Sequence, residues 1–265
     1  MTNYLHKVLP PQYSHVNKVY CLLAATVFCA LPLCSTEAAA ENILKYDGTT
    51  NIHGNAKTWA AKNEYDGIDI RVTGVDGGYY TDTTEALVLN NQTLNVKGKG
   101  KFVSIINTAQ NKQIDNNGGI YAKGGSTVNF TDVDSIYIAA IAGKEGGNDS
   151  TVISAKDPGR DFKGYTNIVN ISGNTVQLIG SIDVMHSLGS VFFNRNARHT
   201  VNAALSGSDS FWYGSAIGET DERTTVNLSL ADGATWIFNA GKSTLNAGGI
   251  IRNPVSYTHL RAHET

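Results

Sequence analysis

Thr127-Val128-Asn129-Phe130 alternates polar and apolar residues, and the same short cassette keeps returning along the chain. It reads Thr93-Leu94-Asn95-Val96 before this copy. After it come Ile168-Val169-Asn170-Ile171, Thr200-Val201-Asn202-Ala203, Thr225-Val226-Asn227-Leu228 and Thr244-Leu245-Asn246-Ala247. Alternation of this kind in β-branched residues is the pattern of a half-buried strand. From one cassette asparagine to the next the spacing is 34, 41, 32, 25 and 19 residues. A recurrence on that scale marks stacked units. Uneven spacing suits strands that stack in register while the loops between them vary in length. The cassette therefore predicts an all-β solenoid whose coils carry insertions.

In a strand, Val128 and Phe130 share one side and Thr127 and Asn129 the other. The apolar pair is expected to point inward, onto its counterparts in coils about 4.8 Å away. Each inward side chain then contributes roughly 1.5–3 kcal/mol on full burial. Thr and Asn, repeated on the outer side, can form side-chain ladders. Residues 86–253 are accordingly predicted to wind as a parallel β-helix with Val128, Val169, Val201 and Val226 in one core. Further strands are predicted at Asn42–Asp47, Gly67–Val72, Ala86–Asn90, Lys101–Ile106, Ser135–Ile141, Thr175–Val184, Ser190–Asn194 and Ala234–Phe238. Lys144–Asp161, polar and Gly-rich with Pro158-Gly159, reads as a loop protruding from one coil.

Residues 1–40 have a different character. Lys7 and Lys18 precede an apolar run from Val19 to Leu33, interrupted by Pro32, and Ala38-Ala39-Ala40 follows. This is the layout of a secretory signal peptide cleaved before Glu41, and the run is short for a membrane-spanning helix. Cys21, Cys29 and Cys34, the three cysteines of the chain, all fall in this segment. The mature chain is expected to carry no disulfide, as suits either a chain that crosses a second membrane unfolded or a solenoid that needs no staple. At the other end, Val255–Thr265 resembles the translation of a transposase-type DNA-sequencing adapter. Residues 254–265 are read as adapter-derived and the natural chain as continuing past Asn253. A native tail would instead place His259 and His263 at a nominal metal-ligand spacing.

The formal net charge is −2, and the stretch from 41 to 253 keeps the same slightly acidic balance. No basic patch interleaves with aromatics, so nucleic acid is not an expected partner. The residue types of catalytic sites are present but scattered. Asp132 and Asp134 could share a strand side, and Asp66 and Asp69 form a second near pair; β-helical polysaccharide-cleaving enzymes need convergent carboxylates, whereas paired Asp residues usually serve turns or solvent. Asp183, His186 and Ser190 supply triad residue types without a nucleophile elbow. His186 and His199 stand alone. Gly207-Ser208-Asp209-Ser210-Phe211 is a single copy of a turn that binds calcium only in tandem. Trp212-Tyr213 and Tyr79-Tyr80 could stack on carbohydrate or belong to the core or a cap. The expectation is no catalytic, cofactor-binding or metal-binding residue set and no cofactor.

Two phrases carry a family resemblance: Gly118-Gly119-Ile120-Tyr121-Ala122-Lys123-Gly124-Gly125-Ser126-Thr127-Val128-Asn129-Phe130 and Thr166-Asn167-Ile168-Val169-Asn170-Ile171-Ser172-Gly173-Asn174. They resemble the passenger domains of bacterial autotransporters, the type V secreted proteins of diderm bacteria, and the likeness spans most of residues 41–253. The resemblance implies a right-handed parallel β-helix displayed at the cell surface, or released outside the cell, and carried there by a C-terminal outer-membrane β-barrel that this chain does not contain. It implies a structural or adhesive passenger without catalysis, whose partner is a glycan or protein on a host or neighbouring cell. The alternative is a secreted polysaccharide-active β-helix enzyme, a lyase or hydrolase.

Overall fold

Alternation fixes which side of each strand faces inward, and stacking fixes what it meets there. The structure, a computed structural model, describes residues 42–49, 52–54, 64–73, 85–108, 118–141, 150–156, 164–184, 197–218, 223–238 and 251–256. Every regular element among them is a strand, and every strand pairing is parallel. The segment expected to be a signal peptide and the sixth cassette, Thr244–Ala247, lie outside the described residues.

The strands fall on three faces of a parallel β-helix. The first face stacks β5 (Thr93–Lys97), the leading half of β8 (Thr127–Ile141), the leading half of β10 (Thr166–Ile179), β12 (Arg198–Ser206), β15 (Thr224–Ala231) and β17 (Ile251–Ser256). The second stacks β1 (Ile43–Gly48), β3 (Gly67–Thr73), β6 (Phe102–Thr108), the trailing halves of β8 and β10, β13 (Phe211–Gly214) and β16 (Thr235–Phe238). These two faces form one 11-stranded sheet because β8 and β10 run through the corner between them. The third face is a 6-stranded sheet of β2 (Ile52–Gly54), β4 (Glu85–Asn90), β7 (Gly118–Lys123), β9 (Thr151–Ala155), β11 (Ser181–Asp183) and β14 (Ala216–Ile217).

Inward side chains stack on their own kind. On the first face Leu94, Val128, Val169, Val201 and Val226 follow one another in register, as do Val96, Phe130, Ile171, Ala203 and Leu228. All ten are buried. The second face adds Ile70, Ile105, Ile138, Leu178, Trp212 and Trp236 in one row, and the third adds Leu87, Ile120, Ile153, Ile182 and Ala216. Residues of all three faces belong to a single core. The predicted alternation is observed.

The outer side of the first face carries the ladder. Asn129 Nδ2 donates to Asn95 Oδ1 at 2.8 Å, Asn170 to Asn129 at 2.7 Å, Asn202 to Asn170 at 2.7 Å and Asn227 to Asn202 at 2.7 Å. Every amide donates toward the N-terminal coil, so the row has a direction. A net hydrogen bond of this type adds about 1 kcal/mol, and the row ties coils separated by 25 to 41 residues of chain.

The corner between the first and second faces needs a left-handed residue in several coils. Gly98 (φ 96°) and Gly207 (φ 87°) supply it at no steric cost, and Asp132 (φ 57°) and Asp232 (φ 52°) supply it as the side chain that tolerates this region next best. At the corner between the second and third faces, Trp212 Nε1 donates to Gly180 O at 2.9 Å and Trp236 Nε1 to Gly214 O at 3.1 Å, while the two indoles stack 5.2 Å apart. A Cβ on Gly214 would lie 2.1 Å from Gly180 O, so the close approach of these two corners requires glycine there.

Three expectations change. Lys144–Asp161 is not one protruding loop: β9 crosses it and pairs with β7 and β11, because Val152 and Ile153 supply buried core. Thr175–Val184 divides at Gly180, where the chain turns from the second face to the third. The rung stacked on the Thr225 cassette is Ile251–Ser256, with Ile251 beside Val226 and Arg252 beside Asn227. Its register breaks between Asn227 and Ser229. The break lies opposite Pro254, which has no N–H to give a ladder. Ser190–Asn194 lies outside the described residues.

Two outcomes follow. Val201→Asp should abolish cooperative unfolding by burying an unpaired charge, whereas Asn202→Asp should cost about 2 kcal/mol by setting oxygen against oxygen in the ladder; equal urea midpoints would contradict the alternation. Gly214→Ala should cost about 3 kcal/mol by overpacking the corner, and an unchanged thermal midpoint would show that the corner relaxes freely.

Candidate functional site

The residues singled out for chemistry serve the stacking of coils. Asp134 lies at the corner between the first and second faces. Its Oδ2 accepts the Gly100 N–H at 3.0 Å and its Oδ1 the Asn174 amide at 3.3 Å. Asp66 occupies the equivalent corner of an earlier coil; its Oδ2 accepts the Asn42 N–H at 3.0 Å and its Oδ1 pairs with Lys101 Nζ at 3.2 Å. Asp132 and Asp134 are both exposed, flanking buried Val133, and Asp132 takes the left-handed backbone of the corner. Asp132 donates its own N–H to Ser172 Oγ at 3.1 Å. Asp69 faces outward beside Arg71, 3.6 Å away.

Gly207–Phe211 is the same corner two coils on. Ser210 N–H donates to Gly207 O, Ser210 Oγ donates to Ser206 O, and Val176 N–H donates to Ser210 Oγ. Asp183 ends β11 on the outer side of the third face, buried and paired with Lys156 Nζ at 2.5 Å. His186, Ser190, Tyr79 and Tyr80 lie outside the described residues. His199 is buried at a corner beside Asn167. Trp212 is core, so the Trp212-Tyr213 pair is divided by the alternation: only Tyr213 reaches the outer side. Among the described residues no group of three or more His, Cys, Asp or Glu side chains comes together. No helix among them is long and apolar enough to cross a membrane.

What the structure does assemble is a graded outer surface on the second face. One outward row runs Lys45, Asp69, Ser104, Tyr137, Gln177, Phe211, Thr235, and the next runs Asp47, Arg71, Ile106, Ala139, Ile179, Tyr213, Ile237. The N-terminal coils are charged. From Ile106 and Tyr137 onward the rows carry the half-buried Ile179, Phe211, Tyr213 and Ile237 on successive coils about 4.8 Å apart, with polar Gln177 and Thr235 among them and Ala139 fully buried. Burial pushes the Tyr213 hydroxyl above its ordinary value. Half-buried apolar side chains repeated along one face can add to a contact surface. Single-residue inspection missed these rows because their members lie in different coils, far apart in sequence; the rows appear only once the register is known.

Compared with known proteins, the chain matches no family model, no curated protein and no solved structure.

Asp134→Ala should lower stability by about 1–2 kcal/mol through loss of a backbone and a side-chain hydrogen bond. Urea denaturation measures it, and an unmoved midpoint would free Asp134 from its corner role.

Proposed function

We propose that the chain is a surface-displayed β-helix passenger of the autotransporter kind, structural and adhesive rather than catalytic. The observation that carries this reading is the outer side of the second face: half-buried apolar and aromatic side chains placed there by repetition, with Phe211 and Tyr213 on the coil after Ile179. The architecture supports it as well, since stacked coils present extended faces to large partners. The partner under this reading is a glycan or protein on a host or neighbouring cell. Aromatic side chains on such a surface contribute most of the contact energy.

The test is made on cells expressing the gene from its own locus. Added protease should cleave the protein on intact cells while a cytosolic marker survives. Phe211→Ser combined with Tyr213→Ser should weaken attachment to target cells about tenfold with an unfolding midpoint close to that of the parent. Retention inside the cell, or attachment unaffected by the double change, would contradict the proposal.

A further inference from the structure

Gln92, Ser126, Asn167, His199 and Thr224 follow one another from coil to coil at the corner where the third face turns into the first. Ser126, Asn167 and His199 are completely buried and Thr224 nearly so. Gln92 N–H donates to Ser126 Oγ at 3.2 Å, and Ser126 Oγ donates to Lys123 O at 2.6 Å. Asn167 Oδ1 accepts two backbone donors, Gly125 N–H at 2.9 Å and Ser126 N–H at 3.0 Å. Those two bonds fix which way the amide faces. Its Nδ2, a donor only, is therefore the atom that meets His199 Nδ1 at 3.1 Å. Nδ1 must present its lone pair, so this corner holds the neutral imidazole with its proton on Nε2.

We infer that the Asn167–His199 contact makes the junction between the β10 and β12 coils acid-labile. A proton on Nδ1 would set N–H against N–H at a fully buried contact whose other amide oxygen bonds are already committed. In the unfolded chain the same histidine titrates near its ordinary value of about 6.5. Below that pH the unfolded chain binds a proton that the folded corner refuses. Stability is therefore full above it and falls as the pH drops, with the unfolding constant rising about tenfold per pH unit from this group.

Among the described residues the charged groups around this corner are two arginines, Lys123 over the Tyr121 ring and one ion pair. On β12, Arg198 is exposed. From the β15 side Arg223 approaches, its carbonyl accepting the His199 backbone N–H at 2.8 Å. From the ends of β9 and β11 come Lys156 and Asp183, paired with each other. Glu219, Asp221 and Glu222 fall in 219–222, outside the described residues.

The test is denaturant unfolding of the full chain from pH 8 to pH 5, above the ordinary carboxylate range of about 4, for the parent, His199→Gln and Asn167→Asp. The glutamine oxygen can accept the Asn167 proton without titrating. The parent should take up about one more proton on unfolding at pH 5 than His199→Gln does. Asn167→Asp keeps both acceptor bonds to Gly125 and Ser126 but turns a carboxylate toward Nδ1. It should reverse the trend, gaining stability relative to the parent as the pH falls. Parallel pH profiles for the parent and His199→Gln would overturn the inference, and they decide the matter even if Asn167→Asp does not fold. An Asn167→Asp profile that tracks the parent would overturn it as well.

Discussion

In-register parallel pairing of like residues is the constraint on which everything else in this fold depends. Val128 lies on Val169, Val169 on Val201 and Val201 on Val226, and the asparagine one place on does the same outside. A shift of one residue would turn every valine to solvent and every asparagine into the core. The apolar rows supply most of the favourable energy. The asparagine ladder adds little per bond, but it penalises any register other than this one. Loops can then vary in length without disturbing the stack, which is why spacings from 25 to 41 residues coexist on one face.

The first face was legible in the sequence because both sides of its strands carry information: β-branched residues within, Thr and Asn without. The second and third faces were harder. β9 hides in a polar, Gly-rich stretch, and only three of its residues, Val152, Ile153 and Ala155, are buried and apolar. Trp212 and Tyr213 are neighbours in sequence and opposites in space, and propensity alone does not say which of them points inward. The corners were invisible for another reason. Asp132 and Asp134 look alike on paper, yet one takes a left-handed backbone and the other binds across two coils. Their roles depend on Gly100 and Asn174, residues 34 and 40 positions away from Asp134.

The same logic explains why the outer rows of the second face were missed. Motif reading looks for chemistry gathered in a few nearby residues. A solenoid gathers it by repetition, one or two side chains per coil, so Tyr137, Ile179, Phe211 and Tyr213 become neighbours only through the register. Polar residues at the corners were read as potential catalysts for the complementary reason. Carboxylates and amides are what a bend needs to satisfy backbone donors left over between faces, and Asp66, Asp134 and Asn167 each accept at least one such donor.

The central claim is that distance across the first face follows coil number and not sequence separation. Spin labels on the outward residues Thr93, Thr127, Thr200 and Thr225 test it directly, since these positions share one row with Ile168 between Thr127 and Thr200. Label-to-label distances measured from Thr93 should increase by about 4.8 Å per rung, reaching about 19 Å at Thr225. Distances that grow instead with the number of intervening residues, or that place Thr93 and Thr225 several rungs farther apart or on different faces, would contradict the account.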